Sequence, residues 1–332
     1  MYEKEYRALT LRLGFAVLLM FLLLQGLMTL LGVSQLLFEA FLNEKAANVL
    51  YWGLYNVFYF ASFVLPVPFF ALISRKISTQ PMCFDVRFPK HFWLMATAAV
   101  GIIMAVGQIN SLLTSPFAGD NSSSDVLLDL IVPDKGYMVV LVFVMIVIVP
   151  PFCEEFLFRG LVLGNLLPYG KGVAIVGSAL LFGAMHQNFS QFLYTTAAGI
   201  LLGYLYVESR SIWPSTLVHM LNNLLSFAQM MVISRVQDEM MANRIAICMN
   251  LLAIFAGLGA AVLLVLIKKR EKPTKEPLVS AFGVSLDEGK AVQHKPLGDG
   301  VAVRSFFSPS VAVFICLCLV MAVFNLIVEN ML

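Results

Sequence analysis

Long apolar stretches recur along the chain, and they constrain its fold more than any other feature. Nine of them approach or reach the roughly 17–25 residues that a transmembrane helix needs. They cover residues 13–33, 49–73, 91–113, 137–166, 172–187, 189–208, 211–233, 244–267 and 308–328. Hydrophobic residues make up 60% and charged residues 13% of the 332 positions, unlike in a soluble domain. The sequence therefore predicts an all-α fold, a polytopic transmembrane helical bundle of about 8–9 spans.

The basic residues indicate how the chain is oriented. With the N-terminus in the cytoplasm, roughly 18 of the 22 Lys and Arg residues fall on the cytoplasmic side, as the positive-inside rule predicts. We expect a multi-pass protein of a bacterial plasma membrane, because the short N-terminus shows no organellar targeting segment. The net charge of only +2 argues against a nucleic-acid partner, which leaves the lipid bilayer as the predicted environment.

Two adjacent glutamates, Glu154 and Glu155, interrupt one of the most apolar stretches, and Arg159 follows them. An ionised group at the centre of a membrane helix costs about 2.5–3.5 kcal/mol on insertion scales, so such groups normally mark a working site. Glu155 and Arg159 are four residues apart and are predicted to pair on one helix face, whereas Glu154 points in another direction and stays free. Pro150 and Pro151 should open the helix and admit water near Glu154.

Three further polar residues lie inside later apolar stretches: His186, His219 and Asn223. His219 and Asn223 share a helix face because they are four residues apart. Counted at ~1.5 Å per residue from the expected cytoplasmic helix ends, these three residues and Glu154 all lie roughly 14–22 Å deep. The sequence thus predicts that four polar groups meet near the middle of the bilayer. Taken singly, each has a structural alternative, such as an ionic staple, a packed histidine or an interhelical hydrogen bond.

Three motifs in this order resemble those of one known family: Glu154-Glu155-x-x-x-Arg159, Phe182-x-x-x-His186 and His219-x-x-x-Asn223. They are similar to the motifs of the CAAX protease and bacteriocin-processing (CPBP, or Abi) family of intramembrane endopeptidases. The resemblance covers about residues 137–230. It implies a helical membrane fold with a water-accessible catalytic cavity, a membrane-associated peptide or protein as substrate, and Glu154, His186, His219 and Asn223 as catalytic positions.

Chemistry and resemblance suggest one mechanism. Glu154, together with His186, would activate a water for attack on a peptide carbonyl. His219 and Asn223 would donate hydrogen bonds to the tetrahedral oxyanion, a contribution of about 3–4 kcal/mol in comparable sites. The other two motif residues, Glu155 and Arg159, would hold the helix and tune the first glutamate. We therefore predict an endopeptidase of glutamic type that needs no cofactor.

A zinc-dependent version of the same protease is the alternative. Glu154, His186 and His219 supply the carboxylate and two imidazoles that catalytic zinc commonly uses. Against zinc, the sequence lacks a His-Glu-x-x-His motif, and with Glu154 as a ligand the only adjacent base is Glu155, which is expected to pair with Arg159.

Two non-proteolytic classes stay open. A transporter or channel would use the same groups as a midplane substrate or ion site, but such proteins usually show internal repeats and paired broken helices, and this sequence shows neither. An immunity or scaffold protein would retain the fold without catalysis. The sequence does not identify the substrate, and peptide maturation, bacteriocin immunity and regulator cleavage are all compatible with it.

The predicted organisation has three parts. Residues 1–136 form N-terminal transmembrane helices and loops, residues 137–233 the catalytic core, and residues 234–332 C-terminal transmembrane helices with a cytoplasmic linker at 268–308. The polar loop at 115–135 is expected to carry a short helix over Val126–Val132.

Overall fold

The computed structural model of the chain describes residues 2–114, 131, 136–270 and 299–331. Within these ranges the chain forms helices and no β-strand, which confirms the all-α prediction. The helices are α1 (Tyr2–Phe41), α2 (Glu44–Val64), α3 (Pro66–Ile73), α4 (Phe92–Thr114), α5 (Gly136–Tyr169), α6 (Lys171–Ala184), α7 (Phe189–Ser209), α8 (Ile212–Arg235), α9 (Glu239–Arg270), α10 (Asp299–Phe306) and α11 (Pro309–Met331). The short helix expected over Val126–Val132 lies outside the described residues, except for Ile131.

Seven helical segments of the described chain are long and apolar enough to cross a membrane: α1, α2 with α3, α4, α5, α8, α9 and α11. Every stretch predicted as a span holds a helix, but two of the nine fall short of this standard. Helix α6 has only 14 residues, or about 21 Å of length, against a hydrocarbon core of about 30 Å. Helix α7 is 21 residues long, but polar side chains such as Gln191 and Thr195 make it less apolar.

Helix α5 carries the two glutamates, and it is not a uniform α-helix. Residues Val144–Ile148 and Phe156–Leu163 form wider π-helical turns on either side of the α-helical segment Val149–Glu155. Pro150 and Pro151 cause the first irregularity, because neither has an N–H to donate to the preceding turn. The prediction that these prolines disturb the helix is confirmed, and π-turns of this kind are frequent at functional sites.

Helices α6 and α7 form a hairpin whose tight connection follows directly on His186. Gln187 adopts a left-handed conformation with φ of 52°. Asn188 then caps α7, because its side-chain oxygen accepts a hydrogen bond from the N–H of Ser190 at 2.7 Å. His186 therefore lies at the connection between the two helices of the hairpin. Lys171 and Ser209 lie at the opposite, open end.

The cytoplasmic linker predicted at 268–308 differs from the structure at both of its ends. Helix α9 continues to Arg270, and α10 falls inside the expected linker. Helix α10 packs on α1, where Thr10 donates a hydrogen bond to the backbone oxygen of Ser305 at 2.9 Å, and Phe306 is buried. Helix α10 has eight residues and one apolar side, and that side packs against the rest of the protein. The charged composition of the segment gave no indication of this helix.

Candidate active site

The predicted pair of Glu155 and Arg159 is present and fully enclosed. Nη1 of Arg159 lies 3.1 Å from Oε1 of Glu155, and both side chains are 0% exposed. Nη2 of Arg159 also donates a hydrogen bond to the backbone oxygen of Gly199 in α7, at 3.2 Å. The ion pair lies within α5, and the hydrogen bond from Arg159 to Gly199 connects α5 to α7.

The phenyl ring of Phe182 contacts three of the candidate residues. The guanidinium carbon of Arg159 lies 4.5 Å from its centroid, as in a cation–π contact. The imidazoles of His186 and His219 meet the same ring at centroid distances of 5.1 and 5.8 Å, both nearly perpendicular to it. Phe182 thus holds side chains from α5, α8 and its own hairpin around one apolar surface.

His219 lies between the two glutamates. Its Nδ1 is 3.1 Å from Oε1 of Glu155, and its Nε2 is 3.8 Å from Oε2 of Glu154. Glu155 is paired with Arg159 and is therefore ionised and able only to accept, so we assign the hydrogen of the shorter contact to Nδ1. With Nδ1 bound to Glu155, the other ring nitrogen, Nε2, faces Glu154.

His186 is oriented through its backbone neighbour. Its Nδ1 lies 2.8 Å from the backbone oxygen of Phe182, one helical turn earlier. A carbonyl oxygen only accepts, so Nδ1 carries the hydrogen and Nε2 is left as an acceptor in the neutral ring. Glu154 and His219 are near enough to His186 to interact with it electrostatically.

The carboxylate of Glu154 has two unequal oxygens. Oε1 accepts a hydrogen bond from the hydroxyl of Tyr59 at 2.5 Å. No side chain or backbone group of the described residues donates to Oε2, although that atom is buried. A buried carboxylate oxygen without a donor is costly in a purely structural role, and it is the atom available to a reacting water.

Tyr59 was missed by the sequence reasoning, because it comes from α2 and belongs to none of the three motifs. Its only signal is a repeat of aromatic residues every four positions, Tyr55, Tyr59 and Phe63. That pattern marks one face of a helix, but an aromatic face inside an apolar helix is ordinary packing. The hydroxyl of Tyr59 becomes informative only once the structure shows what lies opposite it.

Asn223 has a backbone partner that the sequence reasoning did not foresee. Its amide donates to the backbone oxygen of Ile146 at 2.9 Å. In an α-helix that oxygen would accept from residue 150, and in a π-turn from residue 151. Both are prolines, so Asn223 supplies the hydrogen bond that Pro150 and Pro151 cannot.

Gln187, next to His186, is held by helices far away in the sequence. The amide of Gln25 in α1 donates to its side-chain oxygen at 2.8 Å, and the amide of Asn325 in α11 donates to its backbone oxygen at 3.0 Å. These contacts fix the left-handed residue that follows His186. They also show that α1 and α11 support a site whose motifs lie elsewhere.

Glu154, His186 and His219 are donor types that catalytic zinc uses. In the part of the chain that the structure describes, no group of three or more His, Cys, Asp or Glu side chains is placed so that it could hold a metal ion.

Two comparisons with known proteins bear on this arrangement. The family model for the Rce1-like type II CAAX prenyl endopeptidases matches residues 136–225, which include all three motifs. The membrane-embedded CAAX protease MroQ of Staphylococcus aureus (strain USA300) is 24% identical over 170 residues, which are 48% of this chain and 68% of that protein. No solved structure matches the chain.

With its helical membrane fold and its buried site of glutamates and histidines, the chain is similar to membrane-embedded peptidases of CAAX-protease type. These two matches support the resemblance to the CPBP family that the three motifs indicated, over less than half of the chain. The matched region nearly coincides with the catalytic core predicted at residues 137–233. The boundaries between the three predicted parts of the chain stay a prediction.

Proposed function

We propose that this protein is an intramembrane endopeptidase of glutamic type, in which Glu154 activates the attacking water. The observation that carries the proposal is the buried Oε2 of Glu154, which has no donor among the described residues and lies 3.8 Å from Nε2 of His219. A general base needs such an atom within reach of water.

The proposed step uses the acceptors and donors described above. A water gives one hydrogen bond to Oε2 of Glu154 and one to Nε2 of His186, which leaves a lone pair for the peptide carbonyl carbon. Glu154 takes the proton as the C–O bond forms, and it returns that proton to the leaving amine as the C–N bond breaks. His219 and Asn223 donate hydrogen bonds to the oxyanion, which for His219 requires a hydrogen on both ring nitrogens because Nδ1 already donates to Glu155.

The substrate we propose is a membrane-associated peptide or protein. The family model names CAAX prenyl endopeptidases, so a farnesylated peptide that ends in Cys-a-a-X is the first probe to use. We also propose a plasma-membrane location with a cytoplasmic N-terminus, which is supported by the distribution of basic residues.

The test is cleavage of an internally quenched, farnesylated peptide by purified protein in lipid nanodiscs. We expect wild type to cleave it and Glu154→Gln to be at least several hundred-fold slower, within the ~10²–10⁴ that a general base contributes. The matched control is Glu208→Gln, which alters a half-exposed carboxylate paired with Lys171 and should leave turnover within about two-fold of wild type. Near-normal turnover by Glu154→Gln would sink the assignment.

A proteomic comparison searches for the natural substrate. The candidates are membrane peptides that accumulate in cleaved form in cells with wild type and in uncleaved form in cells with Glu154→Gln.

A further inference from the structure

A tyrosine outside the family-matched region contacts the proposed base directly. We propose that Tyr59 is a positioning residue, which holds the Glu154 carboxylate so that its second oxygen faces the reacting water. This inference rests on the proposed function for its kinetic consequence. Its geometric basis is the 2.5 Å hydrogen bond from the Tyr59 hydroxyl to Oε1 of Glu154.

The ring of Tyr59 is itself held on two sides. It stacks on Tyr55 at a centroid distance of 6.3 Å and on Phe63 at 4.7 Å, and Phe63 is fully buried. The three residues follow one another at four-residue intervals on one face of α2. Stacking on both neighbours restricts rotation of the Tyr59 ring, so its hydroxyl keeps a fixed position.

The Glu154 carboxylate needs such a contact to be oriented. The last torsion of a glutamate side chain is broad and roughly two-fold, so the carboxylate rotates easily unless a partner holds it. With Oε1 bonded to Tyr59, Oε2 is the oxygen directed toward His219. Without that bond, either oxygen reaches the site, and the base spends less time in the productive orientation.

Glu154 and Glu155 also differ in the kind of group that holds each carboxylate. Glu155 is held by the guanidinium of Arg159, which compensates its charge. Glu154 is held by a neutral phenol, which orients the carboxylate through a hydrogen bond without forming an ion pair with it. A carboxylate that is held in place by a neutral donor can accept a proton more readily than one paired directly with a guanidinium.

The test compares Tyr59→Phe with Tyr55→Phe. Each change removes one hydroxyl from the same face of α2 and keeps the stacked ring, but only Tyr59 has a hydrogen bond to Glu154. With the quenched farnesylated peptide, we expect Tyr59→Phe to lower kcat about 10- to 100-fold with KM within about two-fold, and Tyr55→Phe to match wild type. Equal kcat for the two variants would overturn the proposal.

A second measurement needs no substrate. The infrared carboxylate band of Glu154 is isolated as the difference between wild type and Glu154→Gln, and we expect Tyr59→Phe to shift that band while Tyr55→Phe leaves it in place. An unshifted band in Tyr59→Phe overturns the positioning role even if the variant is slow. If wild type cleaves no peptide, the proposed function fails, and the infrared comparison still decides whether Tyr59 holds Glu154.

Discussion

Nδ1 of His219 lies 3.1 Å from Oε1 of Glu155, and this contact joins α8 to α5 at the candidate site. It determines which imidazole nitrogen faces Glu154. The second glutamate of the motif therefore orients the histidine, while the first stays available for chemistry. The same carboxylate oxygen also lies 3.1 Å from Nη1 of Arg159, so the histidine contact depends on the buried ion pair.

The first prediction concerns that ion pair. Arg159→Ala leaves Glu155 without its cation in a fully buried position, and it should lower the free energy of unfolding by about 3–5 kcal/mol. The control is Lys171→Ala, which breaks an ion pair of the same 3.1 Å length whose side chains are 52% and 35% exposed. That change should cost about 0–1 kcal/mol. Thermal melting in detergent measures both.

Equal melting temperatures for Arg159→Ala and Lys171→Ala would contradict the view that burial makes the Arg159 pair important. A double variant, Glu155→Gln with Arg159→Ala, refines the test. It removes both charges, so it should be more stable than Arg159→Ala alone.

Sequence reasoning succeeded where local geometry decides the outcome. The pairing of Glu155 and Arg159 follows from their four-residue spacing in a helix. The lengths of the apolar stretches correctly predicted where helices form. Sequence reasoning did not foresee the contact of His219 with Glu155, because that contact depends on how α5 and α8 pack. Tyr59 was out of reach for the same reason, since nothing in the sequence links α2 to Glu154.

The second prediction separates the two nitrogens of His219. The amide nitrogen of asparagine occupies nearly the position of Nδ1, so His219→Asn should keep the hydrogen bond to Glu155 and lose the group at Nε2. We expect near-wild-type melting with kcat reduced about 10²–10³-fold. His219→Ala should lose the same activity and also about 1.5–3 kcal/mol of stability. Normal turnover by His219→Asn would show that Nε2 has no part in the reaction.

The third prediction concerns Asn223. Asn223→Ala leaves the backbone oxygen of Ile146 without a donor and should cost about 1–3 kcal/mol of stability. If the amide also donates to the oxyanion, kcat falls by about 10²-fold or more.

The control for Asn223 is Asn165→Ala, which likewise removes a hydrogen bond from a side-chain amide to a backbone oxygen of α5, that of Leu161, at 2.8 Å. It should lose stability but keep kcat. Melting curves and initial rates on the quenched peptide measure both variants. If Asn223→Ala keeps full kcat, Asn223 only satisfies the backbone beside the prolines and has no catalytic part.

The fourth prediction separates glutamate from zinc catalysis. Catalytic zinc is stoichiometric, and chelators that remove it abolish activity, whereas a glutamate-activated water needs no metal. We expect chelator-treated protein to cleave the quenched peptide at the untreated rate and to contain less than about one-tenth equivalent of zinc by elemental analysis. About one equivalent per chain, with activity lost on stripping and restored by zinc, would assign the reaction to the metal. Glu154, His186 and His219 would then be its ligands, and the orphaned Oε2 of Glu154 would be a coordinating atom rather than a base.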